Sequence, residues 1–191
     1  MQIKRYLDTY LYLYLCETDD KTHSCHPDKK EGDIISSYLA CEEALYLYIN
    51  NYPNPGKFRN NYTNLISFME KLNKFNMKIT MSGKNLDEVY SIAQEIIRDI
   101  ESAHIRMVKS SILKLKHKEK LLDAMDIFHL AYADSEGCKE FATTDTGFSL
   151  FKNQRFRNSS LQNIKEILIF DTKTITQIND TIKIPVYTEK Q

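Results

Sequence analysis

The stretch DIFHLAYADSEGCKEFATTDTGF, residues 126–148, carries a change of structure within itself. Its first part belongs to a run from Leu121 to Ser135 that is rich in apolar residues and reads as a helix, with Asp123, Asp126 and His129 set among them. Gly137 follows as the residue suited to close a helix in the left-handed conformation. Phe141 to Thr144 is then a short apolar run, the length of a buried strand, and it stops at Asp145. Helices alternating with strands in this way point to an α/β layer fold with a largely parallel sheet.

Working outward, Ile3 to Asp8 reads as a second strand that ends on an acid. Residues 9–15, TYLYLYL, alternate like a half-buried strand, yet Leu11 and Leu15 also share a helix face, so periodicity leaves both states open. Residues 17–33 are polar and turn-like. Ile34 to Tyr48 has helical spacing through Ile35, Leu39, Tyr46 and Leu47, with Asp33 placed to cap it. A loop is expected over Asn50 to Asn61, an amphipathic helix over Leu65 to Phe75, a short strand over Met77 to Met81 and a long helix over Leu86 to Val108. Ile164 to Phe170 reads as a strand, and Thr172 to Tyr187 as weaker strand material turning at Asn179-Asp180.

At 191 residues a single domain is the default, long enough to bury a core without staples. A hydrophobic content of 42% against 27% charged residues excludes a disordered chain. The 26 basic and 26 acidic residues cancel, which excludes a uniformly basic surface but leaves room for a local stripe. No apolar run approaches the roughly 20 residues of a membrane span, and Asp8 interrupts what would be a signal peptide. Cys16, Cys25, Cys41 and Cys138 form no C-x-x-C pair and read as reduced thiols of a cytoplasmic protein.

The acids deserve to be taken together. Asp8 and Asp145 each end a strand, where open parallel sheets bind ligands. Glu43 (or Glu42) and Asp126 (or Asp123) lie in apolar helical stretches. Four such carboxylates on one rim would repel one another unless a hard cation such as Mg²⁺ or Mn²⁺ relieved them. The matching chemistry is phosphodiester hydrolysis, with one ion activating water and a second stabilising the leaving oxygen. Taken singly, each acid has an ordinary reading as a turn residue, a helix cap or a solvated side chain.

Tyr6-Leu7-Asp8-Thr9 and the segment from Ser36 to Leu45 (SSYLACEEAL) resemble the first acidic blocks of PIN-domain ribonucleases. Residues 126–133 (DIFHLAYA) followed by 141–148 (FATTDTGF) look like that family's D-x-x-H-L-A-x-A and T-T-D-x-G-F blocks, at the usual interval. The resemblance covers residues 1–170 as a PIN-like domain and leaves 171–191 as a C-terminal extension, an extra edge strand or a partner contact. It implies a three-layer α/β/α sandwich with a central mostly parallel sheet and an Mg²⁺- or Mn²⁺-dependent endoribonuclease. Carried over by matched position, Asp8, Glu43, Asp126 and Asp145 would be the catalytic, metal-binding acids, with Thr9 and Thr144 orienting a carboxylate or water. It also implies that the chain turns helical just after Asp8. Many relatives are toxins of the VapC type held by a small antitoxin protein, and many dimerise. Tyr10 departs from the pattern, which has a small polar residue there.

Arg106, Lys109, Lys114, Lys116, Lys118 and Lys120 place six basic residues within fifteen. With Lys152, Arg155 and Arg157 beyond Asp145, they read either as solvated surface or as contacts to an RNA backbone. Phe151 and Phe156 suit the core better than base stacking. His23, Cys25 and His26 match no zinc spacing, and His129 reads as a packing residue. Two rivals to a nuclease remain: a PIN-fold module that binds RNA or protein with weak or no catalysis, and a metal hydrolase of small phosphoesters.

Overall fold

A computed structural model describes residues 3–28, 32–51, 66, 69–71, 78–80, 86–110, 122–152, 160–171 and 177–183. The chain divides into two compact units, Met1–Met81 and Ser82–Gln191. Each combines parallel strand pairing with helices, the α/β content expected.

The first unit opens with β1 (Ile3–Leu7), which buries Tyr6 and Leu7 completely. The chain passes through Asp8 alone into α1 (Thr9–Thr18). Leu11, Tyr12, Leu15 and Cys16 form the buried face, a helical spacing, so the Leu/Tyr segment is helix and not strand. Its alternation reflects composition, since Leu and Tyr are both apolar enough to cover a helix. α1 ends at Asp19 with φ +50°, its N–H bonded to the Leu15 carbonyl at 2.9 Å. Asp tolerates this left-handed conformation better than most residues.

β2 (Gly32–Ser37) lies parallel to β1, in register from Ile3 opposite Gly32 to Tyr6 opposite Ile35. β3 (Lys78–Thr80) pairs parallel with β2. β2 corrects the expected helix over Ile34 to Tyr48: the helix α2 (Tyr38–Asn51) starts only after the strand. Ile34, Ile35, Ser36 and Ser37 are all buried, so the strand shows no alternation, and the Ile35–Leu39 spacing straddles the strand–helix junction. The cap assigned to Asp33 belongs to Ser37, whose Oγ accepts from the Ala40 N–H at 3.1 Å. The same Oγ bonds the buried Tyr6 hydroxyl at 2.7 Å, and Ser36 Oγ donates to the Leu7 carbonyl at 2.9 Å. Both serines are thereby satisfied inside the unit. α2 also takes in Asn50 and Asn51, the first residues of the expected loop.

In the second unit, α3 (Leu86–Ser110) buries Val89, Ala93 and Ile96 at helical spacing. It packs on α4 (Ala124–Ser135), where Tyr90 and Phe128 meet edge to face with centroids 5.5 Å apart. α4 begins at Ala124 rather than Leu121 because Asp123 takes the N-cap. It closes through Gly137 at φ +74°, with the Cys138 N–H on the Ala133 carbonyl at 3.0 Å. β4 (Glu140–Thr143) is buried throughout and leads to a 3₁₀ turn, Thr146–Lys152. Phe141, Phe148 and Phe151 stack through this turn at 5.0 and 6.1 Å, so Phe151 is a core residue; Phe156 lies outside the described residues. β5 (Glu166–Phe170) is parallel to β4, and β6 (Gln177–Lys183) is antiparallel to β5. Asn179 and Asp180 are therefore within a strand and not a turn. They fall where the ladder slips, three residues between Gln177 and Thr181 facing one between Phe170 and Leu168. A bulge and a turn draw on the same residue types.

No helix among the described residues is long and apolar enough to cross a membrane.

Candidate functional site

The residues expected to form a metal centre are divided between the units, Asp8 and Glu43 in the first and Asp126 and Asp145 in the second. Asp8 is the single residue joining β1 to α1 and caps the helix: its Oδ1 accepts from the Thr9 N–H at 2.8 Å. It is 5% exposed. The Thr9 hydroxyl, buried beside it, donates to Glu43 Oε2 at 2.6 Å. This bond draws an acid from the second turn of α2 to the start of α1, beyond the carboxyl end of β1. Glu43 is half-buried there, whereas Glu42 is exposed. Tyr10 points its bulk outward, 54% exposed.

α1 and α2 are joined a second time where the Cys41 thiol donates to the Tyr12 hydroxyl at 3.4 Å. Burial pushes the Tyr12 phenol well above its ordinary range, with Cys41 adding to the effect. Burial also pushes the Cys41 thiol up, the Tyr12 hydrogen bond pulling partly the other way. Both groups are therefore neutral at physiological pH.

In the second unit, Asp126 is half-buried in the first turn of α4. Its Oδ2 accepts from the Asp123 N–H at 3.1 Å, while Asp123 Oδ1 accepts from the N–H groups of Met125 and Asp126 at 2.8 and 2.9 Å. This reciprocal capping box gives Asp126 a structural task. Asp145, just past β4, shapes the 3₁₀ turn, its Oδ1 accepting from the Gly147 N–H at 2.6 Å. The hydroxyl that holds its own N–H is that of Thr143, at 3.0 Å. Thr144 is buried next to it. His129 is buried in α4, as a packing residue should be.

Two features were not anticipated from the residues. Asp134, 1% exposed, accepts three backbone N–H groups from the segment before β5: Gln162 at 3.1 Å, Asn163 at 2.7 Å and Ile164 at 2.8 Å. Asn163 returns a side-chain bond to the Asp134 carbonyl at 3.0 Å. The one signal was an acid in the last turn of a largely apolar helix. The second feature is the polar segment after α1, which buries His23, Cys25 and His26. His26 Nδ1 accepts from the Asp28 N–H at 3.1 Å and its Nε2 faces Asp19 Oδ1 at 3.1 Å. Arg5 reaches in to donate to the Ser24 carbonyl at 3.0 Å and to Cys25 Sγ at 3.4 Å.

Of the basic residues, Lys109 lies in the last turn of α3 and Lys152 closes the 3₁₀ turn, with their side chains outside the described set. Lys114, Lys116, Lys118, Lys120, Arg155 and Arg157 also lie outside the described residues, and so does the side chain of Arg106. Among the described residues no group of three or more His, Cys, Asp and Glu side chains is assembled to hold a metal ion. No family model matches the chain, and no curated protein matches it in sequence.

Proposed function

We propose that the chain is an Mg²⁺- or Mn²⁺-dependent endoribonuclease of PIN type, a three-layer α/β/α sandwich with a central mostly parallel sheet, acting in the cytoplasm on RNA phosphodiester bonds. The observation that carries this reading is the Thr9–Glu43 hydrogen bond next to Asp8, which gathers two acids beyond the end of a parallel strand. Asp126 and Asp145 complete the set on the strength of the block resemblance.

The donor chemistry fits the ions. Carboxylate oxygens are the ligands that hard divalent cations prefer. Each ionised carboxylate offers about four acceptor sites, so a hydrogen bond to one oxygen is compatible with ligation. When bound, such ions supply activated water and charge relief at the leaving oxygen. The chain's own part would be to hold them with Asp8, Glu43, Asp126 and Asp145. Thr9 would fix the Glu43 carboxylate, and Thr144 would orient a carboxylate or water. Lys109, Lys114, Lys116, Lys118, Lys120, Lys152, Arg155 and Arg157 would neutralise backbone phosphates. The reading extends to a toxin restrained by a small antitoxin protein, and to a homodimer.

A second reading, a PIN-fold module that binds RNA or protein with weak or no catalysis, is favoured by the capping box that engages Asp126. One experiment separates the two. Purified protein with Mn²⁺ or Mg²⁺ should cleave labelled RNA, and Asp8→Asn and Asp126→Asn should each reduce cleavage to background with an unchanged circular dichroism spectrum. Cleavage that survives both substitutions refutes the site, and RNA binding without cleavage by the wild type selects the module.

A further inference from the structure

We propose that Ser36 is a positioning residue for Asp8: its hydroxyl fixes the peptide plane ahead of the acid and so sets the carboxylate for a hard divalent ion. This rests on the metal-dependent reading of Asp8 and adds a residue beyond the four acids and the two threonines.

Asp8 is a single residue between a strand and a helix, so the two peptide planes that flank it place its carboxylate. The plane after it belongs to α1. The Asp8 carbonyl accepts from the Tyr12 N–H at 2.9 Å, and Oδ1 accepts from the Thr9 N–H at 2.8 Å. The plane before it carries the Leu7 carbonyl. The β1–β2 ladder runs in register to Tyr6 opposite Ile35, and its pairs end there. One residue further, Leu7 comes level with Ser36, and the Ser36 hydroxyl donates to the Leu7 carbonyl at 2.9 Å. Ser36 and Leu7 are both completely buried, so water does not compete for this bond.

Packing alone does not call for a serine at this position. β2 is buried on both faces here, and valine would bury more apolar area and suit a strand better. A hydroxyl–carbonyl bond replaces one made with water and adds little net stability. What it adds is direction, at the peptide next to the acid. Ion binding rewards direction: carboxylate ligands are themselves held by outer hydrogen bonds, whose loss commonly weakens binding by roughly 10–100-fold. The neighbouring Ser37 has a different task, accepting from the Ala40 N–H at the start of α2 and bonding the Tyr6 hydroxyl.

The test titrates the full chain with Mn²⁺, reading the free ion by electron paramagnetic resonance, with urea midpoints measured alongside. The wild type should bind, and Asp8→Asn should lose tight binding. Ser36→Ala should weaken binding about tenfold. Ser36→Cys keeps the volume with a weaker donor and should fall between Ser36→Ala and the wild type. Ser135→Ala is the matched control. It removes another buried hydroxyl from a backbone carbonyl, that of Tyr132 at 2.8 Å, in the second unit, and should bind Mn²⁺ like the wild type. If Ser36→Ala keeps wild-type affinity while its urea midpoint falls, the hydroxyl serves the fold alone: the proposal is wrong and the nuclease reading stands. An equal loss of affinity in Ser135→Ala also overturns it. Should Ser36→Ala fail to fold, Ser36→Cys decides, and wild-type affinity there overturns the proposal. If the wild type binds no Mn²⁺, or Asp8→Asn binds it equally well, the metal site itself fails and the positioning role falls with it.

Discussion

In the first unit the carboxylate of Glu43 is held by a side chain from another helix, Thr9, whereas in the second unit Asp126, Asp145 and Asp134 are held by backbone N–H groups. A carboxylate fixed by a hydroxyl can turn toward a ligand while the backbone stays as it is. A carboxylate that closes a capping box or pins a loop is part of the backbone's own hydrogen-bonding account, and releasing it loosens the chain. Asp8 stands between, capping α1 while it borders the Thr9–Glu43 bond. An acid at a strand end or a helix start thus has two different meanings in one molecule.

The largest effect that would test this contrast is at Asp134. Asp134→Ala strips three N–H groups of their acceptor, the bond to Ile164 buried and those to Gln162 and Asn163 part-buried, and should cost about 3 kcal/mol, read as a drop in the urea midpoint. A loss under 1 kcal/mol would erase the distinction between the units. At α4 the two acids of the capping box can be set against each other. Asp123→Ala should cost about 1 kcal/mol, while Asp126→Asn keeps an acceptor for the Asp123 N–H and should shift stability by less than about 0.5 kcal/mol. If Asp126→Asn nonetheless abolishes RNA cleavage, its two tasks are separable; if it unfolds the protein, the cap is its whole role.

The smallest effect concerns the α1–α2 contact. Tyr12 and Cys41 both hold their protons more tightly folded than unfolded. The stability this represents is complete below the ordinary thiol and phenol ranges, about 8.5 and 10, and is lost as pH rises beyond them. Tyr12→Phe removes the larger contribution, so its stability should fall less steeply than the wild type's above about pH 10 in thermal melts. A slope unchanged by the substitution would mean that the phenol is not what alkali titrates.

How much of this was legible depended on whether a residue's partner is near in sequence. Gly137 and the strand after it follow from local rules, and the structure agrees. Asp8 as a strand end was equally plain, because the acid interrupts an apolar run. β2 was hidden: buried on both faces, with serines satisfied by Leu7 and Tyr6 from the neighbouring strand, it lacks the alternation that marks a strand. Asp134 was hidden for the same reason, its partners lying about 30 residues downstream. The resemblance to PIN-domain blocks pointed to Glu43 as one of four acids, but that Thr9 holds it is a tertiary fact.

Gly137 carries a last consequence. A Cβ added there would meet nothing within 4 Å, yet its φ of +74° disfavours any L-amino acid. The demand at this joint is for handedness, not for room. An alanine of mirror-image configuration would sit there without strain, whereas ordinary alanine would oppose the turn that carries α4 into β4. The chirality of the chain, more than its packing, makes glycine the fitting residue at that bend.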